Sequence, residues 1–404
     1  MRVVIIADFA QPSGGAQAVA IGSAVALAER GIRVTYVHGV AGEPDGALAS
    51  AGVQTVSLGL ADIWHRPALS ASVSGIWDRE AARRLGAVLA GLEREPTVLH
   101  LHQWTRSLSP SAFGTLLGAG RPLAVTLHDY FLACPNGVYY RFEADEPCSL
   151  RPLSPSCLAA PCDPRSAAHK LIRVLRTAAT WAATRRRPFD VIHVSDRGRA
   201  VITPLLPSAL RHHRLDNPVD ARPAAPAMID GTARIAFIGR LTREKGADLV
   251  ASAGRAAGMP TLFVGEGPAE AEIRRLDPQA EMLGWRTPEE VARLLRTRVR
   301  AVAAPSRWYE TGPLTVYEAL AAGLPAIASS RSGAAEKVVH GETGLVVEPD
   351  VASLAAAFAS LADADVARRM GAAAHARYWA APLDAAAHAD GLLDIYRGML
   401  ARAP

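Results

Sequence analysis

Two glutamates, Glu310 and Glu318, stand eight positions apart in the stretch WYETGPLTVYEALAAGLP, which runs from Trp308 to Pro325. Gly312 and Pro313 lie between them. Gly312 suits an N-cap, and Pro313 suits a first helical position, where no amide donor is needed. The spacing therefore predicts a helix from Pro313 to about Ala322, ended by Gly323. Glu310 precedes that helix, and Glu318 falls in its second turn. The amides of Leu314 and Thr315 are then orphan donors that can bind a phosphate. Carboxylates on either side could accept from hydroxyl groups flanking that phosphate. The pattern fits a ligand built as sugar, diphosphate and ribose. Taken alone, each glutamate is more simply an exposed or capping group.

A second anion site is written in FIGRLTREKG. A strand ends at Gly239 and a helix starts after Gly246, so Arg240 and Lys245 occupy the turn between them. Two cations beside a helix N-terminus match phosphate, although a pair of surface cations reads equally well. Gly14 and Gly15 lie between the first strand and the first helix. They lack the G-x-G-x-x-G spacing, which argues against a dinucleotide cofactor. His128 and Asp129 close the strand in AVTLHDYFLACPNG. No Asp-x-Asp motif sits at a strand end, so no catalytic divalent ion is expected.

All four cysteines, Cys134, Cys148, Cys157 and Cys162, fall within 29 residues, with thirteen, eight and four residues between them. There is no C-x-x-C pair. A structural zinc and buried free thiols are the two leading readings, with disulfides and an iron–sulfur centre behind them.

The elements that must position these groups alternate. RVVIIAD, IRVTYVHG, VQTVSLG, TVLHLH, LAVTLHD and DVIHVS read as strands in the first half. RIAFIG, TLFVG, RAVAAP and PAIASS read as strands in the second. Gln17–Arg30 and Ile76–Glu93 are candidate helices. Strand–helix alternation with continuous apolar strands argues for an α/β, doubly wound fold, and the restart argues for two such domains. The expected division is residues 1–216, with a cysteine-bearing insertion at 130–165, a Pro/Ala-rich linker at 217–231, a second domain at 232–380, and a C-terminal helix at 381–404 that packs back on the first domain.

Charge narrows the partners. Formal net charge is +5, and residues 1–220 hold 23 Lys+Arg against 18 Asp+Glu. From Pro164 to Phe189 there are seven basic residues and no acidic one. That reads as a solvated helix face, or as a surface for anionic lipid with Leu171, Leu175 and Trp181 as anchors. No nucleic-acid motif accompanies it. No apolar run reaches the ~18 residues of a membrane span. The N-terminus reads as a strand and not as a signal peptide, so a cytoplasmic protein is expected, with a peripheral place at the inner membrane face if the lipid reading of 164–189 holds.

Ala304–Asp350 resembles the donor-binding region of retaining GT-B glycosyltransferases of family 4. The likeness is carried by the glutamate pair, EALAAGLP, SGAAEKV and GETGLVV. GRLTREKG, VGEGP and LGW match in the same order. HDYFLACPNG and the cysteines after it look like a cysteine-containing subset of that family. The resemblance implies two Rossmann-like domains facing a cleft and transfer of a sugar from a UDP- or GDP-linked donor in glycan or polysaccharide biosynthesis. It implies a hexosyltransferase that retains anomeric configuration and needs no metal. The acceptor would be a sugar, a lipid-linked sugar or a small molecule. By the same resemblance, Arg240 and Lys245 contact the diphosphate, while Gly312, Leu314 and Thr315 present the helix start. Glu318 binds the ribose, and the Gly284 backbone lies beside the base. Glu310 holds sugar hydroxyls, His128 positions the sugar near the reacting carbon, and Gly14 with Gly15 lie close to donor and acceptor. The alternatives are a non-catalytic nucleotide-sugar-binding protein and a GT-B sugar-nucleotide epimerase.

Overall fold

The computed structural model describes residues 1–12, 14–185, 187–229, 231 and 233–403. Its first sheet is formed by β1 (Arg2–Ala7), β2 (Arg33–Val40), β3 (Gln54–Leu60), β4 (Thr97–Leu101) and β5 (Leu123–Leu127). A short antiparallel ribbon follows, β6 (Tyr140–Arg141) with β7 (Glu146–Pro147), before β8 (Asp190–His193) and β9 (Arg211–Arg214) complete the sheet. The second sheet contains β10 (Arg234–Ile238), β11 (Thr261–Val264), β12 (Glu281–Met282), β13 (Val299–Ala304), β14 (Ala326–Ser329) and β15 (Gly344–Val347).

The strand orders are 3-2-1-4-5-8-9 and 12-11-10-13-14-15. All pairings within the two sheets are parallel. Every residue of β1 and of β13 is buried, as a sheet covered on both faces demands. Each sheet reverses direction once, beside β1 and beside β10. Ligands of open α/β sheets gather at the strand ends next to such a reversal.

Five strands, β6, β7, β9, β12 and β15, go beyond those read from sequence. β9 is RHHR and has no apolar residue, and β12 is only two residues long. Helix ends moved as well. The second candidate helix spans Arg79–Ala90, because the Asp78 side chain caps it by accepting from the amides of Glu80 and Ala81. The first spans Gly15–Glu29.

The C-terminal helix Ala385–Ala401 lies on the first domain. Leu392, Leu393, Tyr396 and Met399 share a core with Val3, Ile5, Ala20 and Leu27. Tyr396 pairs with His100 at 2.6 Å, and His388 pairs with Ser23 at 2.9 Å. Within segment 217–231, Val219 is buried against the helix Leu314–Ala322, and the Ala227 amide donates to Ala322 O at 2.7 Å, so these residues are strapped to the second domain.

The insertion crosses between domains. Its Tyr130, Leu132, Tyr139 and Tyr140 form a core with Trp308 of the second domain. Tyr130 donates its hydroxyl to Tyr309 O at 2.7 Å. Asp145 pairs with Arg243 at 3.0 Å and Arg307 at 3.3 Å, and Arg307 is held in turn by a bidentate pair with Asp248.

In the basic segment Arg165, Arg185 and Arg187 are exposed, but the three cations of its helix do not form a solvated face. In the helix Ala167–Thr184, Lys170 is buried and donates to the carbonyls of Cys157 and Ala160. Arg173 pairs with Asp163 at 3.2 Å, and Arg176 stacks over Phe131. Trp181 donates to Leu132 O at 3.1 Å and is no exposed anchor. Arg186 lies outside the described residues. No described helix is long and apolar enough to cross a membrane.

Candidate active site

β10 and β13 aim their carboxyl ends at one place. After β10, the turn carrying Arg240 and Lys245 closes on Gly246, whose φ is 78°. A Cβ there would come within 2.3 Å of Pro305 O, so the turn can lie against the end of β13 only because the residue is glycine. That approach brings Lys245 Nζ to 2.5 Å from Glu310 Oε1. The Ser306 hydroxyl donates to the other Glu310 oxygen. Glu310 is thus a buried carboxylate held on both oxygens. Arg240 is exposed and has no side-chain partner among the described residues.

The helix after Glu310 spans Leu314–Ala322, with Pro313 as N-cap at φ −67° and ψ 118°. This corrects the expectation that Gly312 caps and Pro313 starts the helix. The extended ψ at Pro313 keeps it outside the helical turn, and its carbonyl takes the Val316 amide at 3.3 Å. The consequence for binding is unchanged: no described residue accepts from the amides of Leu314 or Thr315. Gly323, at φ 78°, ends the helix.

Glu318 is half-buried in the second turn with no hydrogen-bond partner among the described residues. Burial, helped by the nearby Asp220 charge, pushes its carboxyl up to about 7. A group in that position lacks the hydroxyl partners that would favour its charge.

The first domain supplies the opposite wall. Gly14 is the extended N-cap of the helix Gly15–Glu29, and a Cβ on Gly15 would sit 3.6 Å from Leu314 Cδ1. The glycine loop therefore meets the start of the helix across the cleft; Ser13 beside it lies outside the described residues. His128 follows β5, and its carbonyl accepts from Thr311 Oγ1 at 2.9 Å, which puts it next to Glu310. Its Nε2 lies 3.1 Å from His102 Nδ1, with the two rings stacked. Burial pushes His128 down to about 3, so the ring is neutral at physiological pH and can hydrogen-bond without carrying charge. Burial raises Asp129 to about 6, and one of its oxygens accepts the Phe131 amide.

Contacts thus join Lys245, Glu310, Thr311, His128, Leu314 and Gly15. Gly312 sits inside the same turn. Gly284 lies apart, at the carboxyl end of β12, with φ 69° and its carbonyl taking the Gly265 amide at 2.8 Å.

Asp8 was not singled out from sequence. It is fully buried after β1 and accepts from the amides of Thr105, Arg106, Ser107 and Leu108 and from the Ser107 hydroxyl, at 2.8–3.2 Å. It fixes the loop after β4 on the first-domain wall of the cleft. The available signal was an acid directly following five apolar strand positions, Val3–Ala7. Ser306 and Thr311 were missed too, since hydroxyls carry no pattern of their own.

The cysteines are all free, and three are buried. Cys134 donates to Asn136 Oδ1 at 3.1 Å, and Asn136 Nδ2 donates to Cys162 O at 3.0 Å. Burial pushes the Cys134 thiol up to about 12, against the amides of Asn136, Gly137 and Tyr139. Among the described residues no three His, Cys, Asp or Glu side chains gather as metal ligands would. Asn136 ties the first and last cysteine segments together.

Comparison with known proteins agrees with this geometry. Residues 222–377 match the family described as glycosyl transferases group 1. Over those residues the second domain resembles that group, and the whole chain has a GT-B fold of two Rossmann-like halves. Sucrose-phosphate synthase from Thermosynechococcus elongatus superposes with a TM-score of 0.72 at 20% identity, covering 99% of both chains. The Anabaena HepE protein in complex with UDP does so at 0.67 and 17%, covering 98% of this chain and 100% of that one. Mycobacterium tuberculosis glycogen synthase is 35% identical over 145 residues, 33% of this chain and 34% of that protein. The GDP-mannose-dependent alpha-mannosyltransferase of the same organism is 29% identical over 184 residues, 42% of this chain and 47% of that protein. The matches to these curated relatives span about a third to a half of their length.

Proposed function

We propose that the protein is a retaining glycosyltransferase that moves a hexose from a UDP- or GDP-linked donor to an acceptor hydroxyl in glycan biosynthesis. The observation that carries this is the helix Leu314–Ala322. Its start offers two unpaired amides, Glu310 stands before it, and Glu318 waits unpartnered one turn in. A charge at a surface helix N-terminus gains only about 0.3–1 kcal/mol. The helix alone is too weak for a diphosphate, so Lys245 and Arg240 supply the rest.

In the reaction, the acceptor oxygen bonds to the anomeric carbon as the bond from that carbon to the diphosphate oxygen breaks. Negative charge grows on the leaving diphosphate, where Lys245, Arg240 and the amides of Leu314 and Thr315 stabilise it. The acceptor proton passes to the leaving phosphate. Donor entry frees Glu310 from Lys245 to accept from sugar hydroxyls, while neutral His128 orients the sugar. These groups supply the stabilisation without a divalent ion. The acceptor is a sugar, free or lipid-linked, and the work is cytoplasmic. A structural zinc on the four cysteines belongs to this reading only if the thiols rearrange around it.

Thermal shift against a panel of UDP- and GDP-sugars tests the reading, because ligand bound to the folded state alone raises the melting temperature by mass action. One nucleotide series is expected to give a dose-dependent shift that EDTA leaves intact. If EDTA lowers the melting temperature of the ligand-free protein, it marks a structural metal. No shift with any donor overturns the proposal.

A further inference from the structure

The helix Ala167–Thr184 is turned inside out. Its cations Lys170, Arg173 and Arg176 face the protein, whereas Leu171, Leu175, Ala178 and Ala182, which share one side, are exposed. An ordinary surface helix does the reverse. The neighbouring helix Ala68–Ile76 packs against it and exposes Leu69 and Val73, again one turn apart. These four large side chains are 80% (Leu69), 61% (Val73), 59% (Leu171) and 45% (Leu175) exposed. Trp64, 42% exposed, joins the two helices at one end, with Arg165 over its ring at 3.8 Å and His169 at 5.5 Å. Trp77 and Leu158 are also exposed on these segments. Of the ten exposed large hydrophobics among the described residues, seven lie here. Leaving so many together in water is uncommon for a surface without a partner.

Charge says what covers them. The segments that build this face, 62–78 and 147–189, carry three acids, Asp62, Asp78 and Asp163, and each is turned inward and paired with an arginine, Arg106, Arg66 and Arg173 in turn. Arg151, Arg165, Arg185 and Arg187 are exposed on them. We propose that this two-helix face docks the protein on an anionic membrane surface, with the leucines and valine among the acyl chains and the arginines at lipid phosphates. A second copy fits worse. A two-fold contact would set one cationic rim against another, and a stable dimer buries about 800 Å² per partner over some 20–30 residues.

The face continues toward the cleft. Arg106 lies over both Trp64 and Phe9, and Phe9 adjoins Asp8 at the end of β1. Resting on the glycosyl-transfer reading, docking would set the acceptor wall at headgroup height, where a lipid-linked acceptor is presented.

The test is co-sedimentation of the full chain with phosphatidylglycerol/phosphatidylcholine vesicles and with phosphatidylcholine alone. Binding is expected to be at least ten-fold stronger on the anionic vesicles. The paired variants Leu69→Glu/Val73→Glu and Leu171→Glu/Leu175→Glu are expected to lose it at least ten-fold, while keeping the melting curve and donor-induced shift of the parent. Equal binding by parent and variants would mean adsorption through arginine alone and overturns the proposal. So does absence of binding to either vesicle, or a light-scattering dimer that the glutamate pairs dissolve. Vesicle binding without a donor shift would leave docking standing and sink the transferase reading instead.

Discussion

Lys245→Ala is expected to lower sugar transfer by about 10²–10³-fold at saturating donor, the usual cost of removing one preorganised group that stabilises charge developing in a transition state. Lys245 is the cation that the turn after β10 holds closest to Glu310, at 2.5 Å. With donor bound, that charge is free for the diphosphate. Glu310→Ala is expected to fall by a similar factor for a different reason, loss of grip on the sugar. Both changes also break a pair whose side chains are only 21% (Lys245) and 8% (Glu310) exposed, so some stability is lost with them. Melting curves and donor-induced shifts separate the two effects. A variant that still folds and binds donor but does not release nucleoside diphosphate has lost catalysis. Full turnover in Lys245→Ala would remove it from the mechanism.

Glu318→Gln is expected to weaken donor binding by about 10–100-fold, since a hydrogen bond to a charged group contributes about 1.5–3 kcal/mol. The pH dependence is more diagnostic. With its carboxyl pushed up to about 7, Glu318 in the folded, ligand-free protein keeps a proton that the unfolded chain releases near the ordinary glutamate range. Between those two values the folded state binds more protons, so this group's contribution to stability falls as pH rises through the window. Glu318→Gln removes that slope and is expected to melt higher than the parent at pH 8. Ribose hydroxyls prefer the ionised carboxylate, so parent donor affinity is expected to rise between pH 6 and 8 while the variant stays flat. Isothermal titration at three pH values reads this directly, and parallel curves for parent and variant would disconnect Glu318 from the donor.

Much of the donor half was legible in sequence because its chemistry is local. Gly246, Pro313 and Gly323 mark where chain direction must change, and Lys245, Glu310 and Glu318 sit at fixed offsets from them. The one misplacement, the N-cap, was a single residue along the same turn. Expectations in the first half fared differently wherever long-range packing decided the outcome. Seven basic residues between Pro164 and Phe189 suggested a solvated or lipid-binding face, yet the three on the helix, Lys170, Arg173 and Arg176, find Cys157, Asp163 and Phe131 inside. No periodicity announces such partners. Asp8 was illegible for the same reason: the four amides it receives lie about a hundred positions away. The cysteine spacing left a structural zinc and free thiols both open, and it gave no sign of Asn136, one side chain with no motif value, which ties the first and last cysteine segments together. The bridge from Asp145 to Arg243 and Arg307 depends on two domains meeting, which neither domain's pattern contains.

One short stretch, Glu310–Glu318, is expected to hold diphosphate, sugar and ribose at once. A crystal structure with bound nucleoside diphosphate and sugar tests it most directly. The expected result places the diphosphate on the amides of Leu314 and Thr315 with Lys245 turned from Glu310 to a phosphate oxygen, the ribose hydroxyls on Glu318, and the sugar between Glu310 and His128. A diphosphate bound elsewhere, with the Lys245–Glu310 pair still closed, would contradict it.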